Sequence, residues 1–323
     1  MREGQVVRYR RLGKSGIKVS EIALGSWLTY GTVTERETGY ACVQKAYELG
    51  INHFDCANVY GSEPHAAEMF LRDALAPFNR DSYVLTSKAF WPVGTGPNDR
   101  GLSRKHLFSQ VEQSLKALGT DFLDIFYCHR YDPETEVEET LDALNDLVVQ
   151  GKILYGGISE WPVAKISEAV KVTELRGLHK IRASQPVYNM LNRYIESGVL
   201  TVCEENGIGL VVFSPLGQGL LTGKYQKGQP LPEGSRATTP RVQNFITHML
   251  NDETLDKVGA LQSLAQELGL TLSQLALAWV LRQPAIASAL IGASRPEQIE
   301  ENVKAVGITL SADTLQRIDS ILA

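Results

Sequence analysis

Ile51-Asn52-His53-Phe54-Asp55-Cys56-Ala57-Asn58-Val59-Tyr60-Gly61-Ser62-Glu63 reads as a short apolar strand that ends on an acid and runs into a loop carrying a phenol. The apolar start follows Gly50, and Glu68, Leu71 and Leu75 recur behind it at helical spacing. Asp55 is therefore expected at the C-terminal tip of a strand, and Tyr60 in the loop before the next helix. In α/β proteins that rim is where chemistry is usually placed.

The same strand-then-helix rhythm runs outward in both directions. Upstream, residues 7–20 alternate around Gly13-Lys14-Ser15-Gly16 and predict a hairpin. A strand over 22–25 follows, with Ser26 and Trp27 just beyond it. A helix over 35–49 then carries Cys42, Val43, Ala46 and Leu49 on one face. Downstream, a helix over 64–75 leads to a strand over 83–87 that ends at Lys88. The loop 90–102 is polar, broken by Gly and Pro, and holds Trp91; it reads as a substrate-side loop. Ser103 caps a helix over 103–118, and a strand over 122–128 ends at His129.

The second half repeats the pattern. A helix over 137–150 precedes a strand over 153–158, with Ser159, Glu160 and Trp161 at its exit. Pro162 opens a helix, as a first-turn proline does. A strand over 181–184 has Gln185 at its tip, a helix over 195–206 follows, and then a strand over 209–213. After a Gly- and Pro-rich loop (214–241), helices are expected over 253–268 and 273–282, a strand over 287–291, a helix from Pro296 and a last helix over 311–322. Eight strand–helix units predict an α/β fold, a (β/α)8 TIM barrel with an N-terminal β-hairpin and extra C-terminal helices. No Gly-x-Gly-x-x-Gly follows the first strand, which argues against a doubly wound sheet. No shift in composition marks a linker, so a single domain over 1–323 is expected.

Composition narrows the function. The chain has 323 residues, 43% hydrophobic and 21% charged, with a net charge of -5 and both signs interspersed. That is ordinary globular composition without a basic patch, so nucleic acid is not an expected partner. No apolar run approaches the roughly 20 residues needed to span a bilayer, and Met1-Arg2-Glu3-Gly4-Gln5 lacks the apolar core of a signal peptide. Cys42, Cys56, Cys128 and Cys203 are scattered, with no metal-type spacing. They read as reduced, buried thiols of a cytoplasmic protein, and no metal is expected.

Three consecutive strands are thus expected to end on ionisable groups: Asp55, Lys88 and His129, with Tyr60 in the loop after the first. In a barrel these tips are neighbours on one rim. A buried Asp–Lys pair alone is ordinary structure, and so is a lone His or Tyr. Their convergence suits proton donation to a carbonyl. A tyrosine with a pKa of about 10 is a poor acid at neutral pH; the Lys88 ammonium is expected to stabilise its phenolate and lower that value. Asp55 would hold Lys88, and His129 would orient the substrate oxygen. None of these groups supplies a hydride, so a redox reading needs a cofactor.

With these residues in view, the sequence resembles an aldo-keto reductase along essentially the whole chain, from Tyr9-Arg10-Arg11-Leu12-Gly13 to the last helix. The likeness is carried by Asn52-His53-Phe54-Asp55 through Tyr60-Gly61, Thr86-Ser87-Lys88, His129, and Gly292-Ala293-Ser294 with Gln298, Glu301 and Asn302. Gly101-Leu102-Ser103-Arg104-Lys105-His106, Ser214-Pro215-Leu216 and Gly223-Lys224-Tyr225 bring it nearest the branch that holds the β subunits of voltage-gated potassium channels and their bacterial relatives. The resemblance implies a catalytic tetrad of Asp55, Tyr60, Lys88 and His129, with Tyr60 the general acid in reduction. It also implies NADPH, or NADP+, lying extended across the barrel mouth. Ser159 and Gln185 would hold its carboxamide, and Phe213 would stack on the nicotinamide, where the family often has Tyr or Trp. Ser214, Pro215, Leu216 and Gly217, with Lys224 and Arg236, would cover the pyrophosphate. Ser294, Arg295, Gln298, Glu301 and Asn302 would hold the adenosine end. Ser26, Trp27, Asp55, Gln218 and Gly292 complete the expected contacts. Arg295, just before a helix that begins at Pro296, is placed to pair with a 2′-phosphate.

Trp27, Tyr30, Trp91, Tyr131 and Trp161 stand near strand exits. The substrate pocket is expected to be drawn from Trp27, Tyr60, Trp91 and His129, and to take a small-molecule carbonyl substrate. His129 occupies a position where channel subunits often lack His, which favours an active reductase; Glu160 departs from the basic residue common there. Two other readings are carried: an NADP(H)-binding regulatory subunit with weak turnover, and a lyase or aldolase using Lys88 as a Schiff-base nucleophile. The resembling branch includes tetramers and larger assemblies, so the resemblance leaves a homo-oligomer open beside a monomer.

Overall fold

Strands buried on both faces need near-continuous apolar runs, and parallel sheets are built from them. The structure is a computed structural model and describes residues 7–323; the first six residues, read above as lacking a signal peptide, lie outside that range. Tyr9–Arg11 (β1) pairs antiparallel with Lys18–Ser20 (β2). Eight parallel strands then close into a barrel in chain order. They are Ile22–Gly25 (β3), His53–Asp55 (β4), Val84–Ala89 (β5), Leu123–Cys128 (β6), Ile153–Ile158 (β7), Ala183–Ser184 (β8), Gly209–Phe213 (β9) and Ile286–Ile291 (β10). The ring shuts where Ala289 of β10 sits opposite Ile22 of β3. This is the predicted (β/α)8 barrel.

Helices form the outer ring: Arg36–Glu48 (α1), Ala66–Leu75 (α2), Arg104–Leu118 (α3), Val137–Val149 (α4), Val163–Arg176 (α5) and Val199–Asn206 (α6). Asp252–Glu267 (α7), Leu272–Leu281 (α8), Pro296–Val303 (α9) and Ala312–Leu322 (α10) complete it. Ser103 caps α3 by accepting from the His106 N–H, and Thr271 with Gln274 makes a capping box on α8. Every residue of α8 is buried. No single helix among the described residues is long and apolar enough to cross a membrane.

The hairpin plugs the lower mouth of the barrel. Leu12 and Val19 join Ala23, Val84, Ile125 and Val211 in the interior cluster. Gly13 makes this approach possible: a Cβ there would lie 2.3 Å from the Gly207 carbonyl oxygen. Higher up, a Cβ on Gly157 would lie 2.5 Å from the Tyr127 ring, so this glycine admits a buried aromatic beneath the site.

Several elements differ from the sequence expectation; Pro162, expected in the first turn of its helix, is the N-cap residue before Val163. The helix expected over 195–206 is broken: Tyr194–Ser197 is a 3-10 turn, and α6 starts after Gly198, whose φ of 147° suits only glycine. The helix expected from residue 64 begins at Ala66, because His65 adopts φ 67°. The strand expected over 181–184 shortens to Ala183–Ser184, and the loop after β9 is organised into 3-10 turns at Gly217–Thr222 and Arg236–Thr238.

Candidate active site

Adjacent strands set Asp55 and Lys88 against each other at the upper end of the barrel. Asp55 sits opposite Thr86 in the β4–β5 ladder, and Lys88 lies two residues further along β5. One Asp55 oxygen accepts from Thr86 Oγ1 at 2.6 Å and from Gln185 Nε2 at 2.9 Å. The other accepts from Lys88 Nζ at 2.5 Å, and Nζ also donates to the Cys56 carbonyl at 2.7 Å. Burial lowers the Lys88 ammonium from its ordinary pKa, and Asp55 acts in the opposite direction. Removing one partner of such a buried pair would strand the other charge, at a cost of about 3–5 kcal/mol. Lys88 is fully buried and lies behind the cleft wall, so it is poorly placed to attack a substrate carbonyl.

Tyr60 and His129 face the cleft above this pair. The Tyr60 hydroxyl lies 3.2 Å from His129 Nε2, and the two rings meet edge to face. The Tyr60 loop is tied down at both sides, by Tyr60 N–H to the Ala57 carbonyl at 3.0 Å and Ala67 N–H to the Tyr60 carbonyl at 3.0 Å. The expectation that Lys88 lowers the pKa of this phenol is corrected here. Burial, then the charge of Asp55, holds Tyr60 well above the usual phenol range. The reason is geometric. Lys88 Nζ sits under the ring, 4.9 Å from its centroid, with hydrogen bonds to Asp55 and Cys56 rather than to the hydroxyl. His129 is driven the other way: burial, then Lys88 and Arg130, holds it well below its ordinary value, so its ring is neutral near pH 7. At neutral pH the pair is thus a neutral phenol beside a neutral imidazole.

One cleft of about 1030 Å³ runs from this pair to the N-terminal end of α9. Trp27, Tyr60, Trp91 and His129 line its near end, with Asp55 at the floor. Ser159 and Gln185 lie next, coupled by a 2.7 Å bond from Ser159 Oγ to the Gln185 carbonyl. Phe213 follows, its ring 6.1 Å from that of Trp27 and edge-on to it. Ser214, Pro215, Leu216 and Gln218 then wall the cleft, with Lys224 and Arg236. Ser214 and Gln218 hold positive φ (52° and 59°), and Gln218 donates to Ser214 Oγ at 2.7 Å while accepting from Arg236. The far end is lined by Gly292, Ser294, Arg295, Gln298, Glu301 and Asn302. There the Gln298 side chain accepts from the Ser294 N–H at 2.8 Å, and Glu301 accepts from Thr271 and Gln274, both at 2.8 Å.

Some expected residues lie elsewhere. Ser26 and Gly217 are buried behind the wall; Ser26 Oγ donates to the Asp55 carbonyl at 3.0 Å and so braces the site from beneath. Tyr30 is fully buried, stacked on Phe70 and bonded to the Ala293 carbonyl. Trp161 is buried and packs with Tyr131, away from the cleft. Cys56 and Cys128 are buried thiols whose pKa burial pushes up, which makes them poor nucleophiles. No group of three or more His, Cys, Asp or Glu among the described residues is arranged to hold a metal.

Phe245, Arg241 and Arg130 line the cleft and escaped the sequence reading. Phe245 lies 5.0 Å from Trp27, ring to ring, and Arg241 donates to the Ser62 carbonyl at 3.3 Å across the mouth. Both come from the segment after β9, where no periodicity announces them. Arg130 was visible as the residue after His129. Among the described residues none of the five cleft cations, Arg130, Lys224, Arg236, Arg241 and Arg295, makes an ion pair with a carboxylate.

Residues 21–323 match the family described as the Aldo/keto reductase family. L-glyceraldehyde 3-phosphate reductase of Escherichia coli (strain K12) is 41% identical over 330 residues, covering 100% of this chain and 94% of that protein. A probable voltage-gated potassium channel subunit beta of Arabidopsis thaliana is 39% identical over 321 residues, 98% of this chain and 97% of the other. A putative subunit of the same kind from Schizosaccharomyces pombe is 40% identical over 323 residues, 98% of this chain and 93% of the other.

Proposed function

The chain belongs to the aldo/keto reductase family, an oxidoreductase of carbonyl compounds, and from that premise we propose that it reduces aldehydes and ketones to alcohols with NADPH and a proton from Tyr60. The observation that carries this reading is the Tyr60–His129 pair at the near end of the cleft, above the buried Asp55–Lys88 ion pair.

The cleft suits the cofactor by its shape and its charge. It is far longer than a small aldehyde needs, and Lys224, Arg236 and Arg295 line it without carboxylate partners, as phosphate-binding side chains should. Phe213 would face the nicotinamide, with Ser159 and Gln185 at its carboxamide. Ser214, Pro215, Leu216, Gln218, Lys224 and Arg236 would take the pyrophosphate, and Ser294, Arg295, Gln298, Glu301 and Asn302 the adenosine end. When bound, NADPH supplies the hydride that adds to the carbonyl carbon.

The remaining chemistry belongs to the chain. The carbonyl oxygen sits between the Tyr60 hydroxyl and His129 Nε2. As the C–O π bond gives way to an alkoxide, that oxygen takes the Tyr60 proton. The raised pKa of Tyr60 keeps the proton in place at neutral pH, and an alkoxide is basic enough to remove it. His129, neutral, positions the oxygen without competing as an acid. Lys88 and Asp55 fix the floor under the phenol ring.

NADPH oxidation followed by absorbance tests this, with a nitro-substituted benzaldehyde, methylglyoxal, glyceraldehyde and its 3-phosphate, the last because a relative is named for it. Tyr60→Phe should lower kcat by about 10²–10⁴-fold while NADPH affinity holds. Unchanged turnover in the variant would sink Tyr60 as donor. The likeness to channel β subunits sustains a second reading, a regulatory subunit that binds NADP(H) and turns over weakly. Tight NADPH binding with negligible steady-state turnover on every carbonyl would select it.

A further inference from the structure

We propose that Arg130 makes the near end of the cleft a subsite for an anionic group, a phosphate ester or a carboxylate, carried by a short carbonyl substrate. The inference deepens the reductase reading above and rests on it. Arg130 immediately follows His129 at the tip of β6 and lines the cleft beside Tyr60, His129 and Trp91. It is half-buried, with its guanidinium carbon 5.6 Å from the Trp91 ring centroid. One nitrogen, Nη1, donates to the His129 carbonyl at 2.6 Å. That single bond is the whole of its hydrogen bonding among the described residues, although a guanidinium has five N–H donors in a fixed fork.

Acids in the neighbouring loops are already committed. Asp132, two residues on, accepts from Leu102 N–H at 2.7 Å, Thr135 Oγ1 at 2.8 Å and Glu134 N–H at 3.0 Å. Glu160, at the exit of β7, accepts from Val187 N–H at 2.6 Å and Tyr194 hydroxyl at 2.9 Å. Neither forms an ion pair with Arg130. A cation held half out of water, braced by an aromatic face and denied a carboxylate, is a ready anion site.

Its place separates it from the cations assigned to the cofactor. Lys224 and Arg236 stand with the loop after β9 and Arg295 at the start of α9, whereas Arg130 shares a wall with the two groups that take the carbonyl oxygen. Its charge reaches both of them, opposing the raised pKa of Tyr60 and helping to depress His129. The competing role is therefore electrostatic tuning of those groups, which would act on charged and neutral substrates alike.

The experiment compares kcat/KM at saturating NADPH for matched pairs, glyceraldehyde against its 3-phosphate and butyraldehyde against succinic semialdehyde, in wild type, Arg130→Gln and Arg130→Lys. Wild type should prefer a charged member. Arg130→Gln should cut kcat/KM for that member roughly 10- to 100-fold, through KM, and leave the neutral member within about threefold; Arg130→Lys should retain part of the preference. Loss confined to the phosphate, or shared with the carboxylate, identifies which anion the site takes. Calorimetric titration of glycerol 3-phosphate and 4-hydroxybutyrate onto the NADP+ complex adds a readout without turnover, with binding of the preferred anion lost in Arg130→Gln. Equal loss on charged and neutral substrates, or no charge preference in wild type, overturns the subsite. Failure of wild type to reduce any carbonyl overturns the reductase reading instead, and the titration then decides Arg130 alone.

Discussion

Two arginines under the barrel, Arg10 and Arg80, and the arginines of the cleft are used in opposite ways. At the lower end Arg10 donates to Glu21 at 2.6 Å and to the carbonyls of Leu281 and Ile286, both at 2.8 Å. Arg80 donates to Asp124 at 2.7 Å and to the carbonyls of Phe122 and Tyr83 at 3.0 and 3.1 Å, and it stacks 4.1 Å from the Phe122 ring centroid. At the upper end Arg130 and Arg295 make no ion pair among the described residues, and Arg241 has one bond to a carbonyl. Saturated arginines tie strand ends and loops together; unsaturated ones leave donors free for something that is not protein. The contrast follows the division of labour in such barrels, stability below and chemistry above.

Among the arginines, the largest effect on stability should come from the lower end. Arg80→Ala leaves the buried Asp124 carboxylate without its counter-charge, with only the Leu85 N–H at 2.8 Å among the described residues, and removes two donors to carbonyls and the stack on Phe122. Urea unfolding should show a loss of about 3 kcal/mol, near the low end for a broken buried pair because part of the side chain meets solvent. The kcat for any carbonyl the enzyme reduces should stay unchanged. A catalytic loss without a stability loss would erase the contrast between the two ends.

His53 is the exception below the site. It is fully buried one turn of the pleat beneath Asp55, and neither ring nitrogen has a partner among the described residues. Burial lowers its pKa to about 4, with Asp55 raising and Lys88 lowering it in smaller measure. Above about pH 6.5 the ring is neutral both folded and unfolded and contributes nothing. Below that, the unfolded chain takes up a proton that the folded ring refuses, so stability falls as pH falls, by about 1.4 kcal/mol per unit until pH reaches the folded value. Between pH 7.5 and 5 this amounts to about 2 kcal/mol. His53→Leu should remove that share of the acid sensitivity, read as a smaller drop in unfolding free energy over the same range. Identical drops in the two proteins would show that the ring is hydrated or paired in solution.

How much of this was legible in the sequence depends on what each residue needed. Asp55, Lys88 and His129 each end an apolar run, and a strand tip in a barrel points to one rim, so chain order alone grouped them. Arg241 and Phe245 could not be found that way. They reach the mouth from a segment of 3-10 turns that has no period, and only tertiary packing brings Phe245 to Trp27. Tyr30 and Trp161 look like rim aromatics by position, but beyond a strand tip the loop backbone sets where a side chain points, and both turn inward. The direction of the Tyr60 shift was missed for the same kind of reason. The sequence places Lys88 near the phenol but does not say that its donors are taken by Asp55 and the Cys56 carbonyl.

The smallest effect expected sharpens the contrast most, because it separates function from stability at a single arginine. Arg295 is the N-cap residue of α9 and extends from the far end of the cleft with no side-chain hydrogen bond or ion pair among the described residues. Arg295→Ala should leave unfolding free energy within about 0.5 kcal/mol of wild type, as surface changes without partners do. If the guanidinium takes the 2′-phosphate that distinguishes NADPH from NADH, its loss should raise KM for NADPH and narrow the NADPH-over-NADH ratio of kcat/KM by roughly tenfold or more, the worth of one charge-assisted contact. kcat at saturating NADPH should stay, since Arg295 lies at the end of the cleft remote from Tyr60. Arg80→Ala should give the mirror image, with stability lost and cofactor preference intact. A fall in stability at Arg295 with no change in the cofactor ratio would mean that the upper arginines also serve the fold, and that their free donors are not evidence of a ligand.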